Sequence, residues 1–423
     1  MTFDLIIRGG RVVDGTGAVA RGADVGVTGD RITAVDDLAG VGAVREIAAD
    51  GCVVAPGFID AHAHSDAYLL IEPDAPSKLA QGITTEVNGQ CGGSAVPRLG
   101  QARLSSDWAS QTYPCHASGG VEMSACPGPT WTTVADYRRL FEAVCPALNS
   151  VQFIGHNTLR AGVMGYEPRP ATPEELREMQ CRLSQALDEG GWGFTTGLLY
   201  QPGTYASAGE VETLVRTASS KGGMYATHMR SEGSRLLESI AEVLSLSRAT
   251  GIQVQISHLK TSGKANWGKV GAALDLLRSA RAGGLNVQAD RYPYTAAGTD
   301  LDVVLPDWAS AGGRDAILTN VRDPATRGRI GKELDACGRD WSAVMIGGGW
   351  SAEVRAFSGR TVAEAAAELK LSAGETVCRF IDADDTRTGA FFFGMCGENL
   401  RRIYLEPWVM PGSDASARAP WEP

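Results

Sequence analysis

The chain has six histidines, and five of them follow short apolar runs of the kind that form strands: His62, His64, His156, His228 and His258. In the segment AHAH, His62 and His64 lie two positions apart, so on an extended strand both imidazoles project from the same face. Two imidazoles on one face can bind one metal ion, although an isolated pair of this kind is also typical of a polar loop. The pair indicates a metal site only together with ligands from other strand ends.

Further ligands of the right type follow three other apolar runs. Cys91 comes after GITTEVNGQ, His228 ends the run YATH, and His258 ends the run VQISH. A thiolate is a soft ligand that suits zinc, and neutral imidazoles complete such sites. Each residue alone is more typical of packing in a core, so the prediction depends on their occurring together.

Asp414, in MPGSDAS, is the carboxylate that could work beside this metal. A carboxylate next to a metal can hold a water molecule, accept its proton and later pass that proton to a leaving group. A lone Ser-Asp pair before a turn would otherwise indicate a helix N-cap. We expect Asp414 to contact the metal and to act as the catalytic acid and base.

Eight short apolar segments must position these side chains. They alternate with amphipathic helical stretches such as residues 173–189, 208–221 and 235–249, a pattern that predicts a parallel sheet. In a (β/α)8 barrel all eight C-terminal strand ends open onto one face, where active sites form. A doubly wound open sheet is the alternative, but the first strand-to-helix turn has no GxGxxG motif. The eight segments are VVAPGFIDAHAH, GITTEVNGQCGG, SVQFIGHNTLR, GWGFTTGLLY, GMYATHMR, IQVQISHLK, LNVQADRYPY and WVMPGSD.

The domain boundaries follow from changes in this alternation of strand and helix patterns. Residues 1–52 alternate apolar runs with Gly- and Asp-rich turns and predict a small antiparallel β unit. Residues 53–423 carry the barrel pattern. Two segments interrupt it: residues 98–131 predict a long loop after the second strand, and residues 307–400 predict an insertion over the barrel mouth that shapes the substrate pocket.

Composition excludes several classes of protein. The net charge of -10 and the absence of a basic run argue against a nucleic-acid partner. No stretch is apolar enough to cross a membrane, and the N-terminus lacks the pattern of a signal peptide, so we expect a soluble, cytoplasmic protein. The nine cysteines form no CxxC pair, which favours reduced thiols. The oligomeric state is left open.

Taken together, these segments resemble the amidohydrolase superfamily, and specifically its N-acyl-D-amino-acid deacylase (D-aminoacylase) branch. The resemblance runs from residue 1 to about residue 414. It implies a zinc-containing barrel with a small β-sandwich domain built from the N-terminal strands. The motifs that carry it, in order, are PGFIDAHAH, GQCGGS, GHNTLR, GFTTGLLYQPG, YATHMRSEG, ISHLK, DRYPYTA and PWVMPGSD.

The resemblance also implies roles for individual residues. Cys91, His228 and His258 match a tight zinc site, and Asp414 matches the catalytic acid and base. A second, weaker metal position, bridged to the first by the Cys91 thiolate, is matched by His62 and His64. Many amidohydrolases bridge two metals with a carboxylated lysine on strand four, but GWGFTTGLLY contains no lysine, which favours the cysteine-bridged branch.

Two further residues match positions that bind substrate, and two departures qualify the match. Lys260 matches the residue that meets the substrate carboxylate, and Tyr200 matches a second contact. The family places a serine where this chain has Gly298, before Thr299, so one substrate contact is expected to be lost or replaced. The chain also ends nine residues after Asp414, so we expect the last barrel helix and the C-terminal sandwich strands of the family to be missing.

The expected activity is zinc-dependent hydrolysis of the amide bond of N-acyl-D-amino acids, which releases a carboxylate and a free D-amino acid. Zinc would act as a Lewis acid, and Asp414 would carry the proton. Two alternatives remain open at this point. The substrate could be a cyclic amide or another acylated amine, or the barrel could be a catalytically silent scaffold.

Overall fold

The computed structural model describes residues 2–102 and 131–418. The chain forms two compact units, Met1–Phe58 and Ile59–Pro423. Most of the long loop predicted at residues 98–131 lies outside the described residues.

The N-terminal unit is a single mixed sheet with strand order β3-β2-β1-β4, and β5 pairs with the far end of β1. The antiparallel unit predicted for this region is wrong in part. The hairpin partners β1, β2 and β3 are antiparallel, but β4 and β5 run parallel to β1. The chain after β3 crosses to the opposite side of β1 instead of turning back as another hairpin. The strands are β1 (Phe3–Val12), β2 (Arg21–Thr28), β3 (Arg31–Asp36), β4 (Ala43–Ala48) and β5 (Val53–Val54).

The second unit is an eight-stranded parallel barrel, so the predicted fold class is confirmed. One arc follows the order β6-β7-β8, and the other follows β17-β13-β12-β11-β10-β9. The ring closes where the amide of Ala61 donates to the carbonyl of Pro411 at 3.2 Å and where Ala63 bridges Ala415. Its strands are β6 (Phe58–Asp60), β7 (Ile83–Asn88), the nearly continuous β8 (Asn149–Gln152) and β9 (Ile154–Gly155), β10 (Gly193–Gly197), β11 (Met224–His228), β12 (Val254–Ile256), β13 (Val287–Arg291) and β17 (Val409–Pro411).

Amphipathic helices cover the barrel and bury their apolar faces against its strands. Their starts are encoded locally: Thr172 accepts a hydrogen bond from the amide of Glu175, whose carboxylate accepts one from the amide of Thr172. Within the described ranges no helix is long and apolar enough to span a bilayer. The helices of this part are α1 (Pro76–Leu79), α2 (Val134–Val144), α3 (His156–Met164), α4 (Pro173–Asp188), α5 (Ala208–Ser220), α6 (Leu236–Thr250) and α7 (Val270–Ala282).

Between β13 and β17 the chain forms a lobe with its own apolar core, centred on residues such as Ile346, Val377 and Phe380. Three antiparallel strands, β14 (Ala297–Asp300), β15 (Val344–Ile346) and β16 (Gly389–Phe392), pair in the order β14-β16-β15. The lobe therefore begins about ten residues before the position at which the sequence pattern placed an insertion. Its helices are α8 (Asp307–Ser310), α9 (Arg314–Arg322), α10 (Pro324–Ala336), α11 (Ala352–Arg355), α12 (Val362–Leu369) and α13 (Ala373–Ala383), and α14 (Gly397–Tyr404) leads back to the barrel.

Candidate metal centre and active site

The C-terminal ends of the barrel strands bring the predicted metal ligands together. One ligand atom from each of His62, Cys91, His258 and Asp414 lies within 4.8 Å of the other three. His228 joins them, since its Nδ1 is 3.7 Å from Sγ of Cys91. His62 and Asp414, which are 352 positions apart in the chain, thus meet at one point.

Cys91 lies at the centre of the cluster. Its Sγ is 3.2 Å from Nε2 of His258 and 3.4 Å from Nε2 of His62. The loop that presents it is tightly wound: Cys91 has a φ of +52°. The next residue, Gly92, has a φ of +76°, and a Cβ there would lie 2.5 Å from the amide nitrogen of Gly197. Only glycine fits that position, which explains the second glycine of the GQCGG segment.

The spacing of these atoms fits zinc. Ligands bound at ~2.0–2.3 Å around a tetrahedral zinc ion lie roughly 3.5 Å from one another. The separations from Cys91 to the three imidazoles are 3.2–3.7 Å, and one sulfur with several imidazole nitrogens is a donor set that zinc favours. The thiol faces both the His228–His258 pair and His62, which is the placement that a bridging ligand needs.

Asp414 faces the same centre from the end of β17. Its Oδ1 lies 3.2 Å from Nε2 of His62 and 3.1 Å from Nε2 of His64. The backbone is again strained: φ of Asp414 is +51°, and its amide donates to the carbonyl of His62 at 2.8 Å. A Cβ at Gly412 would lie 2.7 Å from Cβ of His62, so strand eight approaches strand one closely enough to require glycine.

Two carboxylates that the sequence did not single out hold the far side of the histidine rings. Oε1 of Glu232 is 2.8 Å from Nδ1 of His258, and its Oε2 is 3.7 Å from Nε2 of His228. Oδ1 of Asp290 is 3.0 Å from Nδ1 of His62. Such partners fix the orientation of a ligating imidazole and raise its basicity. Both lie in quoted motifs, YATHMRSEG and DRYPYTA, but neither residue type stood out there.

The two predicted substrate contacts lie at the edge of this centre. Nζ of Lys260 is buried, donates to Glu232 at 2.5 Å and lies 2.8 Å from Nδ1 of His258. The ring of Tyr200 packs edge-on against His228, with 4.8 Å between ring centroids. Lys260 and Tyr200 therefore each contact one of the predicted histidine ligands, and Lys260 is also tied to them through Glu232.

The charges of these neighbouring groups shift one another's pKa values strongly. Burial opposes ionisation of the Cys91 thiol, yet the imidazoles of His258 and His62 hold its pKa well below the usual range. Burial likewise opposes protonation of His64, but hydrogen bonds to Asp414 and Cys91 raise its pKa to about 10. Despite burial, His258 and His62 keep the pKa of Asp414 well below its usual range. The site therefore favours an ionised thiolate and carboxylate, the forms that bind cations.

A cavity of about 330 Å³ opens beside the cluster. Its walls include His64 and Cys91 on the metal-ligand side and Asn157, Thr158 and Tyr200 on another. A volume of this size is at the lower end of the range for small-molecule sites. The cavity gives a small substrate direct access to the cysteine and histidine side chains.

His156 is the one strand-end histidine that does not reach the centre. It begins α3 and is buried against Glu210, with Nε2 at 2.9 Å from Oε1. Arg160 completes this group through Nη1, which is 2.6 Å from Oε2 of Glu210. The group joins α3 to α5 inside the barrel wall, so His156 has a structural role.

Known proteins are similar to this chain in both sequence and fold. The model of the amidohydrolase family matches residues 45–297. The N-acyl-D-glutamate deacylase of Alcaligenes xylosoxydans xylosoxydans is 33% identical over 412 residues, which cover 97% of this chain and 74% of that protein. The chain belongs to the amidohydrolase family, in its D-aminoacylase branch.

Solved structures of the family have a fold similar to that of this chain. The N-acyl-D-glutamate deacylase of Bordetella bronchiseptica, complexed with zinc and a phosphonate that mimics the tetrahedral intermediate, matches 98% of this chain and 76% of its own, with a TM-score of 0.79 and 31% identity. A D-aminoacylase described with a binuclear metal centre matches 97% of this chain and 76% of its own, with a TM-score of 0.76 and 35% identity.

Proposed function

We propose that this amidohydrolase uses zinc to hydrolyse the amide bond of N-acyl-D-amino acids, releasing a carboxylate and a free D-amino acid. The observation that carries the proposal is the convergence of one thiol and three imidazoles, with separations of 3.2–3.7 Å, beside a carboxylate at the open end of the barrel. The names of the relatives supply the substrate class: N-acyl-D-glutamate deacylase, D-aminoacylase and N-acyl-D-aspartate deacylase.

The residues divide into two metal positions. Cys91, His228 and His258 would hold the tightly bound zinc, and His62 and His64 would contribute to a weaker position that shares Cys91. Zinc, when bound, supplies Lewis-acid chemistry that polarises a carbonyl group and makes hydroxide available near neutral pH. Asp414 contacts His62 and His64 of the weaker position, and its carboxylate also lies within 4.8 Å of the ligand atoms of Cys91 and His258 of the tight position.

Asp414 carries the proton in this proposal. Its carboxylate is ionised at neutral pH, so it can accept the proton of the attacking water while the new C–O bond forms. The same carboxyl group then gives that proton to the amide nitrogen as the C–N bond breaks, and the amine leaves neutral. Oδ1 of Asp414 lies 3.1–3.2 Å from Nε2 of His62 and His64, so the carboxylate faces the side of the site where these two residues would bind the metal.

Lys260 would hold the α-carboxylate of the substrate. Burial opposes its protonation, but the charge of Glu232 raises the pKa of Lys260, so its ammonium group stays charged. A substrate carboxylate would share this ammonium group with Glu232. Tyr200, which lines the cavity beside Cys91, would contact the substrate from the other side.

We further propose that the enzyme works in the cytoplasm, as a small-molecule hydrolase with no nucleic-acid partner. Reduced thiols support the location, because the cysteines among the described residues are all unpaired: Cys52, Cys91, Cys145, Cys181, Cys337, Cys378 and Cys396.

Amine release from a panel of N-acetyl-D- and N-acetyl-L-amino acids tests the activity, together with cyclic amides such as hydantoins. We expect release from D-substrates, little or none from their L-enantiomers, and no opening of the rings. Opening of the cyclic amides without release of amine from the N-acetyl amino acids would show that the metal site hydrolyses cyclic amides instead. Zinc-loaded protein that attacks no member of the panel would favour the silent scaffold.

A further inference from the structure

A buried ion cluster lies next to the segment that carries Asp414. Among the described residues its cation is Lys78, on α1, whose side chain is 3% exposed. Nζ of Lys78 lies 2.8 Å from Oδ2 of Asp60 and 2.7 Å from Oε1 of Glu86. One ammonium group thus joins carboxylates from the first two barrel strands.

The same ammonium group also reaches the chain on both sides of Asp414. It donates to Oγ of Ser413 at 2.9 Å and to the carbonyl of Ala415 at 3.0 Å. Asp60 adds a third contact, because its Oδ1 accepts from the amide of Ser413 at 2.8 Å. The residues before and after Asp414 are therefore both fixed by one buried ion pair.

Asp60 ties this segment to the histidine strand as well. Its Oδ1 accepts a hydrogen bond from the amide of His62 at 3.3 Å, and His62 in turn lies 3.2 Å from Asp414 through Nε2. The left-handed backbone of Asp414, with a φ of +51°, needs such support, since this conformation is unfavourable for a non-glycine residue. Without the support, relaxation of this backbone would turn the carboxylate away from the imidazoles.

We propose that Lys78 is a positioning residue that, together with Asp60, holds Ser413 and Ala415 so that the carboxylate of Asp414 faces His62 and His64. Lys78 acts through Asp414 and does not contact substrate. The proposal rests on the role given above to Asp414, and it explains why a lysine is buried among two carboxylates at the seam where the barrel closes.

Kinetics of Lys78→Met, Asp414→Asn and the double variant test this role on the zinc-loaded enzyme. Misplacing a reacting group by about 1 Å can cost 10²-fold in rate, so Lys78→Met should lower kcat roughly 10–100-fold. KM and zinc content should stay at the parental values, because Lys260 and the Cys91–His228–His258 set are unchanged. In the Asp414→Asn background the Lys78 substitution should have no further effect on kcat, since residues that act through one another are not additive. Lys221→Met, which breaks an exposed pair with Asp188, is the matched control and should change none of these values.

Ser413→Ala provides a second test that leaves the ion pairs of Lys78 intact. It removes a hydroxyl group that accepts from Lys78 and from the amide of Ala415 and that donates to the carbonyl of Ala415. It should also lower kcat, but by less than Lys78→Met does. This loss too should occur only when Asp414 is present. Parental kcat in folded Lys78→Met or in Ser413→Ala would overturn the positioning role, as would an equal loss in the presence and absence of Asp414. Parental turnover in Asp414→Asn alone would instead overturn the proposed mechanism and leave the Lys78 contacts as a structural feature.

Discussion

Oε1 of Glu232 lies 2.8 Å from Nδ1 of His258, while Nε2 of the same ring lies 3.2 Å from the thiol of Cys91. The ring therefore has a carboxylate at one nitrogen and a metal-ligand partner at the other. This arrangement fixes which nitrogen is free to bind a metal. Glu232 also lies 3.7 Å from His228, so one carboxylate supports both imidazoles of the proposed tight zinc site.

Replacing Glu232 by glutamine should weaken zinc binding about 10–100-fold, the usual effect of losing the carboxylate partner of a ligating histidine. Competition with a chelator of known affinity measures this directly. Glu242→Gln removes a carboxylate that pairs with Arg230 instead of a ligating histidine, and it should leave zinc affinity unchanged. Equal affinity in Glu232→Gln and the parent would show that the carboxylate does not support the ligands.

Replacing Cys91 by alanine should remove most of the bound zinc while the barrel remains folded, because the thiolate is the ligand shared by both metal positions. Metal analysis of the purified variant is the measurement. Cys181 and Cys337 are exposed and far from the cluster in sequence, so their alanine variants should keep the parental zinc content. If Cys91→Ala also keeps it, another group must bridge the site.

Replacing Asp414 by asparagine should separate chemistry from metal binding. The amide keeps the size of the carboxylate but cannot shuttle a proton, a loss that typically costs ~10²–10⁴ in rate. We expect kcat to fall at least that far while zinc remains at Cys91, His228 and His258. Steady-state kinetics and metal analysis on the same preparation give both values. Undiminished kcat would remove Asp414 from the mechanism.

The buried group around Glu210 predicts a pH-dependent stability unrelated to catalysis. Although burial opposes its ionisation, His156 and Arg160 lower the pKa of Glu210 from 4.5 to about 2. The unfolded state therefore binds the proton first as the pH falls. Ionised Glu210 contributes about 3 kcal/mol of stability above pH ~4.5, and this contribution is lost between ~4.5 and ~2. Burial also lowers the pKa of His156, which adds a loss of stability in acid beginning near pH 6.5.

Urea unfolding of the parent and of Glu210→Gln at several pH values measures this effect. The variant should be less stable at pH 7, because it leaves the buried Arg160 without its carboxylate, and the difference should shrink as the pH falls below 4.5. Glu212→Gln, from an exposed pair with Arg216, should show a small difference at every pH. A constant difference between Glu210→Gln and the parent across the range would contradict the lowered pKa.

The sequence predicted the barrel well because the signals for its elements are local. Short apolar runs alternate with capped, amphipathic helices, and both can be recognised from short stretches of sequence. It also pointed to His62, Cys91, His228 and His258, since histidine and cysteine are scarce and their positions at strand ends are conspicuous. Glu232, Asp290 and Lys78 were missed for the opposite reason. Acidic residues number 49 and basic residues 39, so nothing local distinguishes a buried carboxylate or lysine from a solvated one.

The topology of the N-terminal sheet was missed for a related reason. Alternating apolar runs and turns indicate strands, but they do not show that β4 pairs in parallel with β1, because that pairing depends on which edge of the sheet the chain reaches after β3. His156 shows the opposite error, because its position at a strand end was conspicuous in the sequence although it lies outside the site. It follows a strand as the other histidines do, but it begins a helix, and its ring is buried against Glu210.

Removal and return of zinc tests the central claim most directly. The protein is assayed for amine release from its best N-acetyl-D-amino acid as purified, after treatment with a zinc chelator, and during stepwise return of zinc, with metal content measured at each stage. We predict that hydrolysis falls in proportion to the zinc removed and recovers as zinc is restored to the parent but not to Cys91→Ala. Undiminished hydrolysis of the D-substrate by protein from which zinc has been removed would contradict a zinc-dependent deacylase.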